Sequence, residues 1–160
     1  MKKFVCLLLL AGFLFLFGCA RGEELLLSPF SGACRAQLRG SFRSLAFEAL
    51  LELSAPTSTG ERTATLTFYA PQTLRGTTLV QTEEGEVLLC SGEVRVDGSA
   101  LAPLLGVFAH TGEVSTISLD NGKTRVTGAD FCMEFLSDGT PSRVERDALC
   151  AEILSFEVVG

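Results

Sequence analysis

From residue 30 onward, apolar and polar positions alternate with a period of two. Phe30, Cys34, Ala36 and Leu38 share one parity and Ser31, Arg35, Gln37 and Arg39 the other, the pattern of a strand with one wet face. Gly40-Ser41 reads as a turn into a second strand, with Leu45, Phe47, Ala49, Leu51 and Leu53 inward and Ser44, Glu48, Glu52 and Ser54 outward. After a Pro- and Gly-bounded loop at 56–60, residues 62–69 set Ala64, Leu66 and Phe68 against Thr63, Thr65, Thr67 and Tyr69. Threonine and aromatic residues suit a pleated, half-buried surface, so this is the clearest strand in the chain. Residues 77–82, 86–91 and 94–96 predict three more short strands, with Glu83-Glu84-Gly85 as a turn.

The period changes once. Over residues 99–108, Ser99 is a candidate N-cap before apolar residues at helical spacing, interrupted by Pro103 and Gly106, and predicts one short helix. Strands then return at 114–120 and 123–127 around the hairpin dipeptide Asn121-Gly122. Further alternation at 131–135, 142–145 and 150–158 follows, the last with Leu154, Phe156 and Val158 on one parity. About ten short strands and one helix predict a mainly β (α+β) domain, a strongly curved antiparallel sheet with the helix as its lid.

The chain before this domain follows different rules. Lys2 and Lys3 precede an apolar run over 4–17 that ends in Gly18-Cys19, which makes residues 1–18 an export signal. A retained anchor would need about 20 apolar residues, and an ordinary signal cleaved after Ala20 is the other alternative. Leu16-Phe17-Gly18-Cys19 resembles a bacterial lipobox. That resemblance implies a diacylated Cys19 as the mature N-terminus, a short lipidated linker over 19–29, and a single tethered domain over 30–160. The acyl chains would hold the protein to a membrane, the outer leaflet of a plasma membrane or an outer membrane.

Loss of the leader leaves eleven basic residues against nineteen acidic ones, a net charge near −8. This argues against nucleic acid and against adhesion to anionic headgroups, both of which need basic patches. Four cysteines remain besides Cys19: Cys34, Cys90, Cys132 and Cys150. Two disulfides in any of three pairings, or free thiols packed as small apolar residues, both fit. No pair has zinc-knuckle or CxxC spacing, so no metal or thiol-exchange site is expected.

Catalytic groups are scarce. His110, the one histidine, lies in a turn-like Ala-His-Thr-Gly and reads as an exposed loop side chain. Nucleophile elbows, HExxH helices, phosphate loops and calcium loops are absent from the sequence. Glu83, Glu84 and Glu86 form a solvated hairpin tip. Glu48 and Glu52 stand roughly 13 Å apart by strand rise, too far for a retaining glycosidase pair. The chain is therefore expected to be no enzyme and to carry no cofactor. The remaining candidate chemistry is an apolar surface, a groove of Phe47, Leu51, Leu66 and Phe68 on the inner side of the sheet. Complete cover by the lid would make the same residues plain core.

The lipobox, the strand run, Phe68-Tyr69-Ala70-Pro71 at a strand end, the strand around 78–81, and Leu136-Ser137-Asp138-Gly139-Thr140-Pro141 before a closing strand are together similar to the LolA/LolB-like half-barrel proteins of bacterial envelopes. The resemblance implies an unclosed half-barrel with a helical lid and a hydrophobic cavity for the acyl chains of lipids or lipoproteins. The expected function is a membrane-anchored, non-catalytic lipoprotein that binds an acyl chain or hydrophobic segment in an apolar groove. The alternative is a structural or interaction lipoprotein with a packed sheet that docks a protein partner by its acidic outer face or a sheet edge.

Overall fold

The computed structural model describes Leu27 and residues 30–58, 62–108 and 114–159. The leader, Cys19 and His110 lie outside the described residues. Eleven strands form one antiparallel sheet: β1 (Ala33–Phe42), β2 (Leu45–Leu53), β3 (Ala64–Ala70), β4 (Thr78–Gln81), β5 (Val87–Ser91), β6 (Val94–Asp97), β7 (Val114–Asp120), β8 (Lys123–Gly128), β9 (Cys132–Phe135), β10 (Pro141–Arg146) and β11 (Leu149–Val159). Their spatial order is β6-β5-β4-β3-β2-β1-β11-β10-β9-β8-β7. The chain thus meanders out from β1 to one edge, passes to the other edge, and meanders back until its last strand pairs with its first. The sheet is an unclosed half-barrel whose free edges, β6 and β7, are consecutive in sequence.

The inner face follows the predicted parity. Cys34, Ala36 and Leu38 of β1, Phe47, Ala49 and Leu51 of β2, and Ala64, Leu66 and Phe68 of β3 are all buried. Thr65, Thr67 and Tyr69 face outward, as do Glu48 and Glu52. At the predicted hairpin, Asn121 and Gly122 both take positive φ (50° and 75°), as a two-residue loop matched to strand twist requires.

Two local features differ from the sequence expectation. Gly40-Ser41 is not a turn: β1 runs on to Phe42, and the turn is Arg43-Ser44, with Arg43 at φ 54°. The glycine serves a close crossing instead, since a Cβ at residue 40 would collide with the Cys150 carbonyl oxygen and lie 2.7 Å from Ala151 Cα. In β11, Leu154, Phe156 and Val158 do not form one continuous inward row. The register with β1 slips between Gln37 and Leu38, which pair with Ser155 and Ile153 and leave Leu154 as the extra residue of a bulge. Leu149, Ala151 and Ile153 face inward before the bulge and Phe156 after it, while Leu154 is exposed.

The lid is also shorter than predicted. Residues Ser99–Leu104 form a 3-10 helix, and Gly98, not Ser99, is its cap position. Leu101 N–H donates to the Gly98 carbonyl and Leu105 N–H to that of Ala102. Pro103 has no N–H to continue an α-helical ladder, so the tighter turn stands alone. Asp97 secures its start: Oδ1 accepts the Ser99 N–H at 3.0 Å and Oδ2 the Ser99 hydroxyl at 2.9 Å. Those two bonds hold the Asp97 carboxyl below the usual carboxylate range.

Candidate functional site

The four groove candidates share the inner face, as expected, and all are covered: Phe47 is 2% exposed and Leu51, Leu66 and Phe68 are 0%. They form the floor of the half-barrel, and none lines the rim cavity described below. Cover comes from the lid, which sinks Leu104, Leu105, Val107 and Phe108 into the core. The Phe108 ring stacks on Phe30 at a centroid distance of 4.6 Å and meets Phe156 edge-on at 5.8 Å. Arg146 Nη1 donates to the Gly106 carbonyl at 3.2 Å, and Arg146 Nη2 donates to Asp130 Oδ2 at 2.8 Å. The turn that follows the lid helix, residues 105–108, is therefore fastened by a phenylalanine cluster at Phe108 and by a charged hydrogen bond at Gly106. Arg62 ties down the entering chain by donating to the carbonyls of Phe30, Gly32 and Ser54.

Cover fades toward both free edges. On one side the inner row runs Leu51, Leu66, Leu79, Leu89, Val96, each opposite the next. The first three are fully buried, Leu89 is half-buried and Val96 is exposed. On the other side Met133 and Val126 are buried but Ile117, opposite Val126, is exposed. Val94 and Leu119, also of inner parity, are 63% and 77% exposed. The apolar inner face thus continues past the lid and emerges at both rims of the opening. On the β6 side, a cavity of about 630 Å³ lies between the β5–β6 hairpin and the start of the lid, with Val87, Val96, Ser99 and Ala102 in its wall. These rim residues are absent from the groove that the sequence suggests. Their signal was present in the alternation of Ile117 and Leu119 with Thr116 and Ser118, but parity cannot tell an edge strand from an inner one.

The outer face behaves differently. One row reads Arg125, Glu134, Arg143, Glu152, Arg39, Glu48 across six neighbouring strands, positive and negative in strict alternation. Arg39 pairs with Glu48 at 2.7 Å and Arg143 with Glu145 at 2.6 Å, and Arg35 also pairs with Glu52. Each exposed pair contributes little to stability, about 0–1 kcal/mol. Their effect is to neutralise the convex side locally, so the excess acidity of the sequence does not form an uninterrupted patch there. Glu48 and Glu52 are thus each the ion-pair partner of an arginine on β1, Arg39 and Arg35 respectively.

All four cysteines of the domain are free thiols. Cys34 lies in the core, where burial pushes its thiol pKa up against the opposing pull of Arg62. Cys132 and Cys150 both stand opposite Glu145, on the strands to either side of it. Two strand spacings, roughly 9.5 Å, exceed the span of a disulfide. Alkylation of the native protein should modify the half-buried Cys90, Cys132 and Cys150, with Cys34 reacting only after denaturation, as mass mapping of the labelled peptides will show. Among the described residues no group of three or more His, Cys, Asp or Glu is placed to hold a metal ion, and no helix is long and apolar enough to cross a membrane.

The sequence matches no described protein family and no curated protein. Solved structures do align. An uncharacterised conserved protein from Thermus thermophilus is similar over 88% of each chain at 14% identity, with a TM-score of 0.50. MucB is similar over 89% of this chain and 60% of its own, at 11% identity and a TM-score of 0.51. The likeness is one of fold. A LolA superfamily protein from Nitrosomonas europaea aligns at 8% identity over 86% of this chain and 93% of its own, with a TM-score of 0.45.

Proposed function

We propose that this chain is a non-catalytic, membrane-anchored envelope lipoprotein whose half-barrel receives an acyl chain or a hydrophobic segment at its open rim. The observation that carries the reading is the inner apolar face emerging uncovered at both free edges, through Val94 and Val96 on β6 and Ile117 and Leu119 on β7. Apolar side chains in an otherwise acidic protein cost solubility unless something covers them. The adjoining cavity beside Val96 lies within the usual size range of small-ligand sites, about 300–1,000 Å³. Lipid attachment at Cys19 would bring the rim to a membrane surface, where acyl chains are the abundant apolar partner. Deeper entry requires the lid to move, which breaks the Arg146 bond to the Gly106 carbonyl and the Phe30–Phe108 stack.

The second reading, a packed interaction module that docks a protein partner, draws support from the complete burial of Leu51, Leu66 and Phe68. The self-paired outer face favours a sheet edge over the convex side as its docking surface.

Single Val96→Asp and Leu119→Asp variants test the preferred reading. Both sites are exposed, so stability should shift by no more than about 0.5 kcal/mol, while uptake of a fluorescent fatty acid falls about tenfold. Unchanged uptake in both variants removes the rim from the binding surface. Attachment is tested separately. Cys19→Ala should leave the protein unprocessed or shed and abolish metabolic labelling with an alkyne fatty acid, and equal labelling of the mutant would refute the anchor.

A further inference from the structure

The two free edges of the sheet are not equivalent. β6 is four residues long and carries Arg95 and Asp97. β7 is seven residues long, Val-Ser-Thr-Ile-Ser-Leu-Asp, with no lysine, arginine or proline, a charge only at its last position, and six of its residues exposed. Sheet edges are ordinarily guarded by charge, proline, shortness or a bulge, because their unpaired N–H and C=O groups otherwise recruit another strand. Of these devices β7 has the bulge alone, at Ser115, where its register with β8 slips between Val114 and Thr116. The unguarded stretch is therefore 116–120, and β-branched Thr116 and Ile117 suit it to strand pairing.

That stretch is complementary to itself. The two-residue Asn121-Gly122 loop closes on Asp120 and Lys123, and a loop of that length makes its closing residues a hydrogen-bonded pair. Alternation from there turns the N–H and C=O groups of Ile117 and Leu119 toward the free edge. An antiparallel second copy centred on Ser118 sets Ile117 opposite Leu119 and Leu119 opposite Ile117, so these outward-facing groups meet in two hydrogen-bonded pairs. The same pairs bring together apolar side chains that are 41% and 77% exposed. Ser118 meets Ser118, and Thr116 meets Asp120. The two Asp120 carboxylates end up about 14 Å apart by strand rise and spacing, beyond the screening length of physiological salt. No like charges face each other, although the chain as a whole is acidic. Centring on Ile117 instead would set the bulged Ser115 against Leu119.

From this geometry we infer that β7 is a homodimerisation edge: two copies of this chain pair antiparallel through residues 116–120, about a twofold axis at Ser118, and join two half-barrels into one continuous sheet. Such an isologous contact closes at two copies, whereas β7 pairing with β6 of another copy would be head-to-tail and open-ended. Both inner faces lie on the same side of the joined sheet, because residues of equal parity stand opposite each other across the axis. The pairing does not depend on a bound acyl chain.

Ser118→Cys in the full-length chain tests the register. It places two thiols at a non-hydrogen-bonded pair, where a Cα separation of about 4.5 Å is within disulfide reach. Mild oxidation should yield a dimer whose link maps by mass spectrometry to residue 118 in both chains, about tenfold above the residue-116 link in Thr116→Cys, which faces Asp120 and not itself. Sedimentation of the detergent-purified full-length chain tests the energetics. Ser118→Lys sets like charges opposite each other and should raise the dimer Kd about tenfold, and mixing it with Ser118→Glu should restore a mixed dimer. Residue 118 is exposed, so both variants fold. A wild-type chain that stays monomeric at about 100 μM, or no excess of the 118 link, overturns the assignment. Uptake of fluorescent fatty acid by the same samples keeps the two readings separable: a monomer with full uptake removes the dimer alone, and a dimer without uptake removes the acyl-chain rim alone.

Discussion

Phe68→Ala is expected to lower the unfolding free energy by about 3–5 kcal/mol, the range for emptying a well-packed aromatic site. Phe68 is fully buried at the centre of the inner face, next to Ala49 on β2. Its neighbours belong to a continuous sheet whose backbone is fixed by ladder hydrogen bonds on both sides, so the void has little freedom to collapse. Urea unfolding monitored by far-UV circular dichroism provides the measurement. A loss well under about 2 kcal/mol, accompanied by a drop in fatty-acid uptake, would instead make Phe68 the wall of a ligand channel that opens in solution.

Gly40→Ala should destabilise the protein on a similar scale, on the order of 3 kcal/mol, at the upper end for overpacking. A single added methyl group would collide with the Cys150 carbonyl oxygen and lie 2.9 Å from the Ala151 Cβ. Both are held by the β1–β11 ladder, so neither can swing aside as the end of a flexible side chain would. Because β11 and β1 are the last and first strands, this crossing joins the two meanders into one sheet. An unchanged unfolding midpoint in Gly40→Ala would mean that the two strands cross more loosely than the structure has them.

These two residues also show what the sequence could and could not convey. Phe68 was legible: its parity with Leu66 and Ala64 against a run of threonines admits one assignment, and a slip by one residue would expose all three apolar side chains. The inner positions of β1 and β2 followed from the same rule. Gly40 was misread because a glycine needed for close backbone approach and one needed for a turn look alike without the partner strand. Leu154 failed for a related reason, since a bulge changes parity within a strand and is specified by the neighbour's register. The lid could be located, but Pro103 limits it to a 3-10 turn, and its cap position is Gly98, one residue before the serine that local sequence suggested, with the Asp97 carboxylate accepting the Ser99 N–H.

The candidate site was legible only in part. Period-two alternation identified which side chains face inward, and the groove residues Phe47, Leu51, Leu66 and Phe68 do face that way. It could not show that β6 and β7 end up as the two free edges, because that depends on β11 pairing with β1. Exposure of Val94, Val96, Ile117 and Leu119 follows from that topology.

Native mass spectrometry of a secreted 20–160 form, purified without detergent, tests most directly whether the half-barrel holds a hydrophobic ligand. An adduct with the mass of a single acyl-chain amphiphile is expected, displaced by added fatty acid and weakened in Val96→Asp and Leu119→Asp. A clean apo mass, together with no uptake of fluorescent fatty acid by the same preparation, would contradict it and leave a packed sheet that meets its partner by an edge.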